Sequence, residues 1–153
     1  MKEQIIIRPV LQEDFAAWKV LWDGYNAFYG RKRETALSLN ITKTTWLRFF
    51  DVYEPIYAVL ALSSGNVIGL AHYLFHRSTT HINSVCYLQD LFTIEAARGK
   101  GVGRALINDV SERAKAGGSP RIYWQTQETN IVAMQLYDKV AIKSGFVVYR
   151  KEL

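Results

Sequence analysis

The sequence contains 153 residues, 49% of them hydrophobic and 22% charged, proportions that exclude a disordered, collagen-like or fibrous chain. The 19 Lys and Arg residues outnumber the 14 Asp and Glu residues, and the net charge of +5 favours a polyanionic partner such as nucleic acid or a phosphorylated cofactor. Because the basic residues are scattered and no apolar run could span a bilayer, nucleic-acid and membrane partners are both disfavoured. The length predicts one domain over residues 1–153. The single cysteine, Cys86, allows no internal disulfide, and this favours a reducing, cytoplasmic setting.

The first third of the chain predicts one strand and two helices. Residues 5–10 form a short apolar run that predicts a strand. Over residues 12–29, aromatic side chains recur every three or four positions, which indicates a helix with a broad apolar face. A polar loop over residues 31–40 then leads to a second, shorter helix around residues 46–50, which ends before Pro55.

The middle of the chain predicts three strands. The apolar runs 56–62 and 67–75 flank residues 63–66, whose Ser-Ser-Gly-Asn sequence is typical of a hairpin turn. Another β-like run covers residues 85–94. We therefore expect consecutive strands that pair with one another in one sheet.

The last third predicts two helices and two strands. A glycine-rich turn over residues 99–103 leads into a helix that ends at the glycine pair 117–118, and residues 121–127 form a strand. Asn130 then caps a helix that runs to Ala141, with Gly145 as its C′ residue, before a final strand over residues 146–149. The order β-α-α-β-β-β-α-β-α-β predicts an α/β sandwich with helices on both faces of a mixed sheet of six to seven strands.

The glycine-rich turn is the segment that carries the most chemical information. A strand that leads into glycines at a helix N-terminus presents backbone N–H groups to an anion, and the helix dipole adds about half a positive charge. Arg98, Lys100 and Arg104 add cationic side chains, so the pattern predicts a phosphate site. Neither the dinucleotide pattern G-x-G-x-x-G nor the Walker pattern G-x-x-x-x-G-K-[ST] is present.

The turn and several flanking segments resemble the GNAT acetyltransferases. Arg98-x-x-Gly101-x-Gly103 resembles the turn with which that family holds the pyrophosphate of acetyl-CoA. Residues 67–73 and 87–93 resemble its third and fourth strands. Within the family, residues 123–126 and the aromatic residues of the first helix are similar to the histone and polyamine acetyltransferase branch.

The resemblance implies a GNAT fold whose fourth and fifth strands splay apart around the pantetheine arm of acetyl-CoA. It also implies that main-chain and side-chain groups of the following residues bind acetyl-CoA: Leu91, Phe92, Thr93, Arg98, Gly99, Lys100, Gly101, Val102, Gly103, Arg104 and Asn130.

The same resemblance implies two catalytic residues. Tyr137 matches the tyrosine that protonates the departing thiolate, and a phenol with a pKa of about 10 keeps its proton at neutral pH. Asp90 matches an aspartate of the fourth strand and is the candidate base or the binding site for an amine. Polyamine acetyltransferases carry a glutamate directly before this aspartate, whereas this chain has Gln89, which cannot accept a proton.

The acceptor pocket is the least defined part of the interpretation. The resemblance implies that the first helices cover it, which makes Trp22, Tyr25, Tyr29 and Gln89 candidate substrate-binding residues. We expect no metal ion, because the chemistry needs none and the histidines lack a ligand pattern.

The predicted function is direct transfer of the acetyl group of acetyl-CoA to the primary amine of a small basic molecule, such as a polyamine or an amino-acid-like amine. A protein N-acetyltransferase, a non-catalytic acyl-CoA-binding module and a small nucleic-acid-binding protein are the alternatives. Family members often pair, so we also predict a homodimer, formed by exposed aromatic residues of the first helix or the last strand.

Overall fold

The computed structural model describes residues 3–153 of the chain. This part forms five strands, namely β1 (Ile5–Pro9), β2 (Ile56–Ser63), β3 (Asn66–His76), β4 (Val85–Thr93) and β5 (Ile122–Tyr123). Its α-helices are α1 (Phe15–Phe28), α2 (Leu39–Arg48), α3 (Val102–Ala116) and α4 (Ile131–Val140). No helix among these combines the length and the apolarity that crossing a membrane requires.

The strands form one mixed sheet in the order β1-β2-β3-β4-β5. The first three pairings are antiparallel, and only β4 and β5 run parallel. Each β2 residue points to the side opposite its neighbours, so Val59 packs in the core under α3 while Leu60 packs in the core under α1. The predicted α/β fold, with a mixed sheet and helices on both faces, is confirmed.

A β-bulge in β4 decides which face its polar residue occupies. His72 of β3 pairs with Asp90 and the next residue, Tyr73, pairs with Leu88, so Gln89 is an extra residue in β4. Leu88 packs in the α3-side core, whereas Asp90 lies opposite His72 on the α1 side. Without the extra residue, Leu88 and Asp90 would lie on the same face of the sheet.

The fourth and fifth strands separate soon after they meet. Their ladder consists of Cys86 with Ile122 and Tyr87 with Tyr123. From Leu88 onward, β4 has β3 on one side and an open edge on the other. The predicted splay of these two strands is therefore confirmed.

The expected number of strands was wrong, because five strands form within residues 3–153 instead of six to seven. The predicted last strand, residues 146–149, makes no ladder there, and its side chains are between 67% and 93% exposed. The fifth strand ends at Tyr123, although a strand was predicted to continue to residue 127. In both places the apolar pattern is present, but no neighbouring strand pairs with the backbone.

Two helix boundaries also differ from the prediction. The second helix begins at Leu39 because the Ser38 hydroxyl accepts a hydrogen bond from the Ile41 N–H, a cap that lies inside the predicted loop. The last helix ends at Val140, where Ala141 adopts an extended conformation, so Gly145 is not its C′ residue.

Candidate active site

The N-terminus of α3 presents unpaired backbone donors. Gly99 and Gly101 precede it with φ angles of 76° and 84°, left-handed conformations that glycine adopts without strain. The first backbone bond of the helix runs from the Ala105 N–H to the Gly101 carbonyl at 3.0 Å, and no side chain caps this end. The N–H groups of Val102 and Gly103 are therefore directed out of the helix, as an anion-binding turn requires.

The cationic side chains around this turn occupy different places. Lys100 and Arg104 are exposed at the turn. The Arg98 guanidinium instead lies 5.8 Å from the centre of the Phe28 ring and 6.0 Å from that of Phe92. Its Nε donates to the Thr93 carbonyl at 3.3 Å, so this side chain lies against the end of β4.

The open edge of β4 leads from Asp90 to the α3 turn. Leu91, Phe92 and Thr93 are half-buried along it. The Phe92 ring packs against Tyr25 of α1 with 6.3 Å between ring centres, and a Cβ added at Gly24 would lie 3.2 Å from this ring. The glycine thus lets α1 approach the strand closely, and the opening between α1 and β4 is narrow and aromatic.

Asp90 is the last member of a buried hydrogen-bond chain that begins at α1. Trp18 Nε1 donates to His72 Nε2 at 2.9 Å, and His72 Nδ1 lies 2.9 Å from Asp90 Oδ2. An indole N–H can only donate, so His72 Nε2 accepts and the ring proton lies on Nδ1, which donates to the carboxylate. Trp18 is 0% exposed and His72 is 1% exposed, and His72 is a site residue that the sequence analysis did not identify.

The predicted substrate-binding residues of α1 lie in front of this chain. Trp22 stacks between Trp18 and Tyr25, with 5.9 Å and 5.4 Å between ring centres. Within residues 3–153, its buried indole N–H has no hydrogen-bond partner. Burial and the Asp90 charge raise the pKa of Tyr25 above its usual range, and the same two causes raise that of Tyr29.

Tyr137 lies on α4 and is partly buried against the core on the α3 side of the sheet. Its ring packs against Trp124 with 5.5 Å between ring centres. Burial, and then the neighbouring Tyr29, raise the pKa of Tyr137 to about 12, so it keeps its proton at neutral pH. Asn130 stands at the N-cap position of α4, but its side chain makes no capping bond, so the amide has no role in the cap.

Other residues considered in the sequence analysis lie apart from this space or at its rim. Gln89 is exposed at the bulge. Cys86 is fully buried on the α3 side of the sheet, and burial raises the pKa of its thiol to about 12. Across the described part of the chain, no three His, Cys, Asp or Glu residues are grouped so that they could hold a metal ion.

The donors present fit a long anionic thioester ligand. The uncapped amides at the start of α3 match a diphosphate, and the open β4 edge has free backbone groups for an amide-containing arm. Tyr137 of α4 packs against Trp124 and against the core cluster on the α3 side of the sheet. The arrangement can therefore hold an anionic ligand whose arm extends along the β4 edge.

Comparison with known proteins gives consistent results. The acetyltransferase (GNAT) family model matches residues 16–141. The D-amino-acid N-acetyltransferase HPA3 of Saccharomyces cerevisiae is 37% identical over 99% of this chain and 92% of its own length. An uncharacterized N-acetyltransferase of Bacillus subtilis, YhfO, is 26% identical over 94% of each chain. The structure of AAC(6')-Iy with a bisubstrate analog has the same fold, with a TM-score of 0.82 and 14% identity over 98% of this chain and 99% of that one.

Proposed function

Because the chain belongs to the acetyltransferase (GNAT) family, whose enzymes use acetyl-CoA, we propose that it acetylates the primary amine of a small, amino-acid-like molecule. The observation that supports this proposal is the uncapped N-terminus of α3 beside the open β4 edge, the strand that also carries the buried Asp90. Burial and Asp90 raise the pKa of Tyr29, and burial and Tyr29 raise that of Tyr137. In this proposal Asp90 is the proton acceptor and Tyr137 is the proton donor.

The α3 turn and the β4 edge would hold acetyl-CoA. The amides of Val102 and Gly103 would bind the diphosphate, with Lys100 and Arg104 around it. The open backbone of residues 91–93 and the Asn130 side chain, which makes no capping bond, would bind the pantetheine arm. When bound there, acetyl-CoA supplies the thioester carbonyl that the amine attacks.

Asp90 acts on the incoming amine. An alkylammonium with a pKa of about 10.4 has to lose a proton before its nitrogen can attack, and this costs roughly 4–5 kcal/mol at pH 7. The Asp90 carboxylate attracts the ammonium and accepts the proton directly or through water. The bond from His72 Nδ1–H orients the carboxylate for this role.

Tyr137 acts on the leaving group. As the new N–C bond forms and the C–S bond breaks, the sulfur takes the proton that Tyr137 Oη carries. The nitrogen loses its second proton to water as the amide forms, and the phenol recovers a proton from solvent. Its raised pKa keeps this proton in place across the neutral range, since the phenol is protonated at every pH well below about 12.

An amino-acid-like acceptor is favoured over a polyamine by two observations. The yeast relative is named for D-amino acids. Gln89 stands where the polyamine enzymes carry a glutamate, and a neutral amide offers no charge to a second ammonium. Acetylation of a protein lysine or N-terminus remains the second candidate, on the resemblance to the histone and polyamine branch.

The decisive experiment measures CoA release with amino acids, spermidine and a histone peptide, using the wild type and Tyr137→Phe. We expect turnover with amino acids and a fall in kcat of about 10²- to 10⁴-fold in the variant, with acetyl-CoA affinity unchanged by calorimetry. Tyr53→Phe is the matched control, because Tyr53 is 93% exposed. Binding of acetyl-CoA without CoA release to any acceptor would instead indicate a non-catalytic module.

A further inference from the structure

The Arg31 side chain, which follows α1, is anchored by a buried asparagine. Its Nε donates to Asn26 Oδ1 at 2.7 Å, and its backbone N–H donates to the Asn26 carbonyl at 2.8 Å. Asn26 is only 4% exposed, and its Nδ2 donates to the Trp22 carbonyl at 2.9 Å. The Nε atom of the guanidinium is therefore held in one direction by Asn26 of α1.

The remaining part of the guanidinium faces the two tyrosines of the acceptor space. Its Cζ lies 5.9 Å from the centre of the Tyr25 ring and 5.6 Å from that of Tyr29. In the part of the chain that the structure describes, Arg31 forms no salt bridge with a carboxylate. Because only Nε is used by Asn26, the two terminal nitrogens keep the fork geometry that binds a carboxylate through two parallel bonds.

A negative group acts on the same two tyrosines. Burial first, and then the Asp90 charge, raise the pKa of Tyr25 and of Tyr29, and the Arg31 charge offsets part of both shifts. The contacts agree, because Trp22 stacks on Tyr25 at 5.4 Å and lies 5.1 Å from His72, whose Nδ1 is 2.9 Å from Asp90 Oδ2. A zwitterion, with an ammonium and a carboxylate on one carbon, has the matching pair of charges.

Resting on the proposed function, we propose that Arg31 binds the carboxylate of the acceptor while Asp90 attracts its ammonium, so that the enzyme selects α-amino acids. The tyrosine rings then lie beside the Cα and the side chain. A polyamine or a simple amine has no group for Arg31, and its second ammonium would be repelled by it. Arg31 is accordingly a specificity-determining residue, whereas Asp90 attracts the ammonium of any amine acceptor.

The test compares two acceptors that differ in one group, D-phenylalanine and 2-phenylethylamine. For the wild type we expect kcat/KM to be about 10- to 100-fold higher with the amino acid, the usual value of a charged hydrogen-bonded pair. Arg31→Gln should remove this preference, mainly through a higher KM for D-phenylalanine, and lower kcat/KM for the amine far less. Lys32→Gln removes the same charge one residue away and should keep the preference.

Three results would overturn the proposal. One is equal use of both acceptors by the wild type, a comparison that needs no variant. Another is an equal loss with both acceptors in Arg31→Gln, which would make Arg31 only a cap for α1. The third is an unchanged preference in that variant. Failure of the proposed function is distinguishable from these, since the wild type would then release no CoA with either acceptor.

Discussion

Two tryptophans one turn apart on α1 show how a single hydrogen bond can define a site. Trp18 and Trp22 are both buried and stacked on each other. The indole N–H of Trp18 donates to His72, whereas that of Trp22 has no partner within residues 3–153. The two residues therefore contribute similar packing and different polar interactions.

This difference predicts unequal costs of the same substitution. Trp18→Phe leaves His72 Nε2 buried without its donor, whereas Trp22→Phe removes an N–H that was already unpaired. We expect Trp18→Phe to lower the free energy of unfolding by about 1–3 kcal/mol more than Trp22→Phe does. Urea unfolding of both variants, compared at equal m-values, measures this difference. Equal losses would show that the bond to His72 contributes nothing to stability.

At the scale of elements, Gly69 lets α3 lie close to the sheet. A Cβ added there would be 2.9 Å from Val102 Cγ1 and 3.1 Å from both Leu106 Cδ1 and the Phe92 carbonyl oxygen. These contacts are too short, so any larger side chain has to displace the first turn of α3. That turn carries the amides that face the diphosphate in the proposed function.

Gly69→Ala is therefore predicted to affect both stability and ligand binding. We expect a loss of about 1–3 kcal/mol in the free energy of unfolding from overpacking, together with a raised Kd for CoA in calorimetry. Gly117→Ala is the control, because a Cβ there meets its nearest neighbours at 3.5 Å, at the other end of the same helix. An unchanged Kd in Gly69→Ala would mean that the position of the α3 turn does not govern CoA binding.

The elements that could be predicted from the sequence are those whose signals are local. The glycine spacing before α3 and the apolar periods of α1 and β2 indicate their structures directly. The face that Asp90 occupies could not be predicted, because it depends on the bulge at Gln89, which only the pairing with β3 creates. His72 was missed for the same reason, since its partners lie 18 and 54 residues away in the chain.

At the scale of the whole molecule, the apolar side chains of the C-terminal segment, residues 146–149, are left exposed. Phe146 is 88% exposed, Val148 is 67% exposed and Tyr149 is 93% exposed. An exposed run of β-prone residues is a surface on which another strand can pair. The homodimer stays a prediction, in which a second copy would cover these side chains.

The prediction for assembly follows from these exposures. Replacing Phe146 and Val148 with glutamate adds two negative charges to the segment. Burying these charges against a second copy would cost free energy. We expect the wild type to elute as a dimer and the Phe146→Glu/Val148→Glu variant as a monomer, with masses measured by light scattering. Lys151→Glu introduces an acidic residue in the same segment and should remain a dimer. A monomeric wild type would contradict the prediction.

The bonding of His72 has a consequence for the release of protons. Converting an ammonium to an amide liberates one proton per turnover, and that proton has to reach bulk water. His72 already accepts at one nitrogen and donates from the other, so it offers no vacant position behind Asp90. The proton then has to leave on the side of Asp90 that faces away from His72, and the aromatic interior around Trp18 stays closed to it.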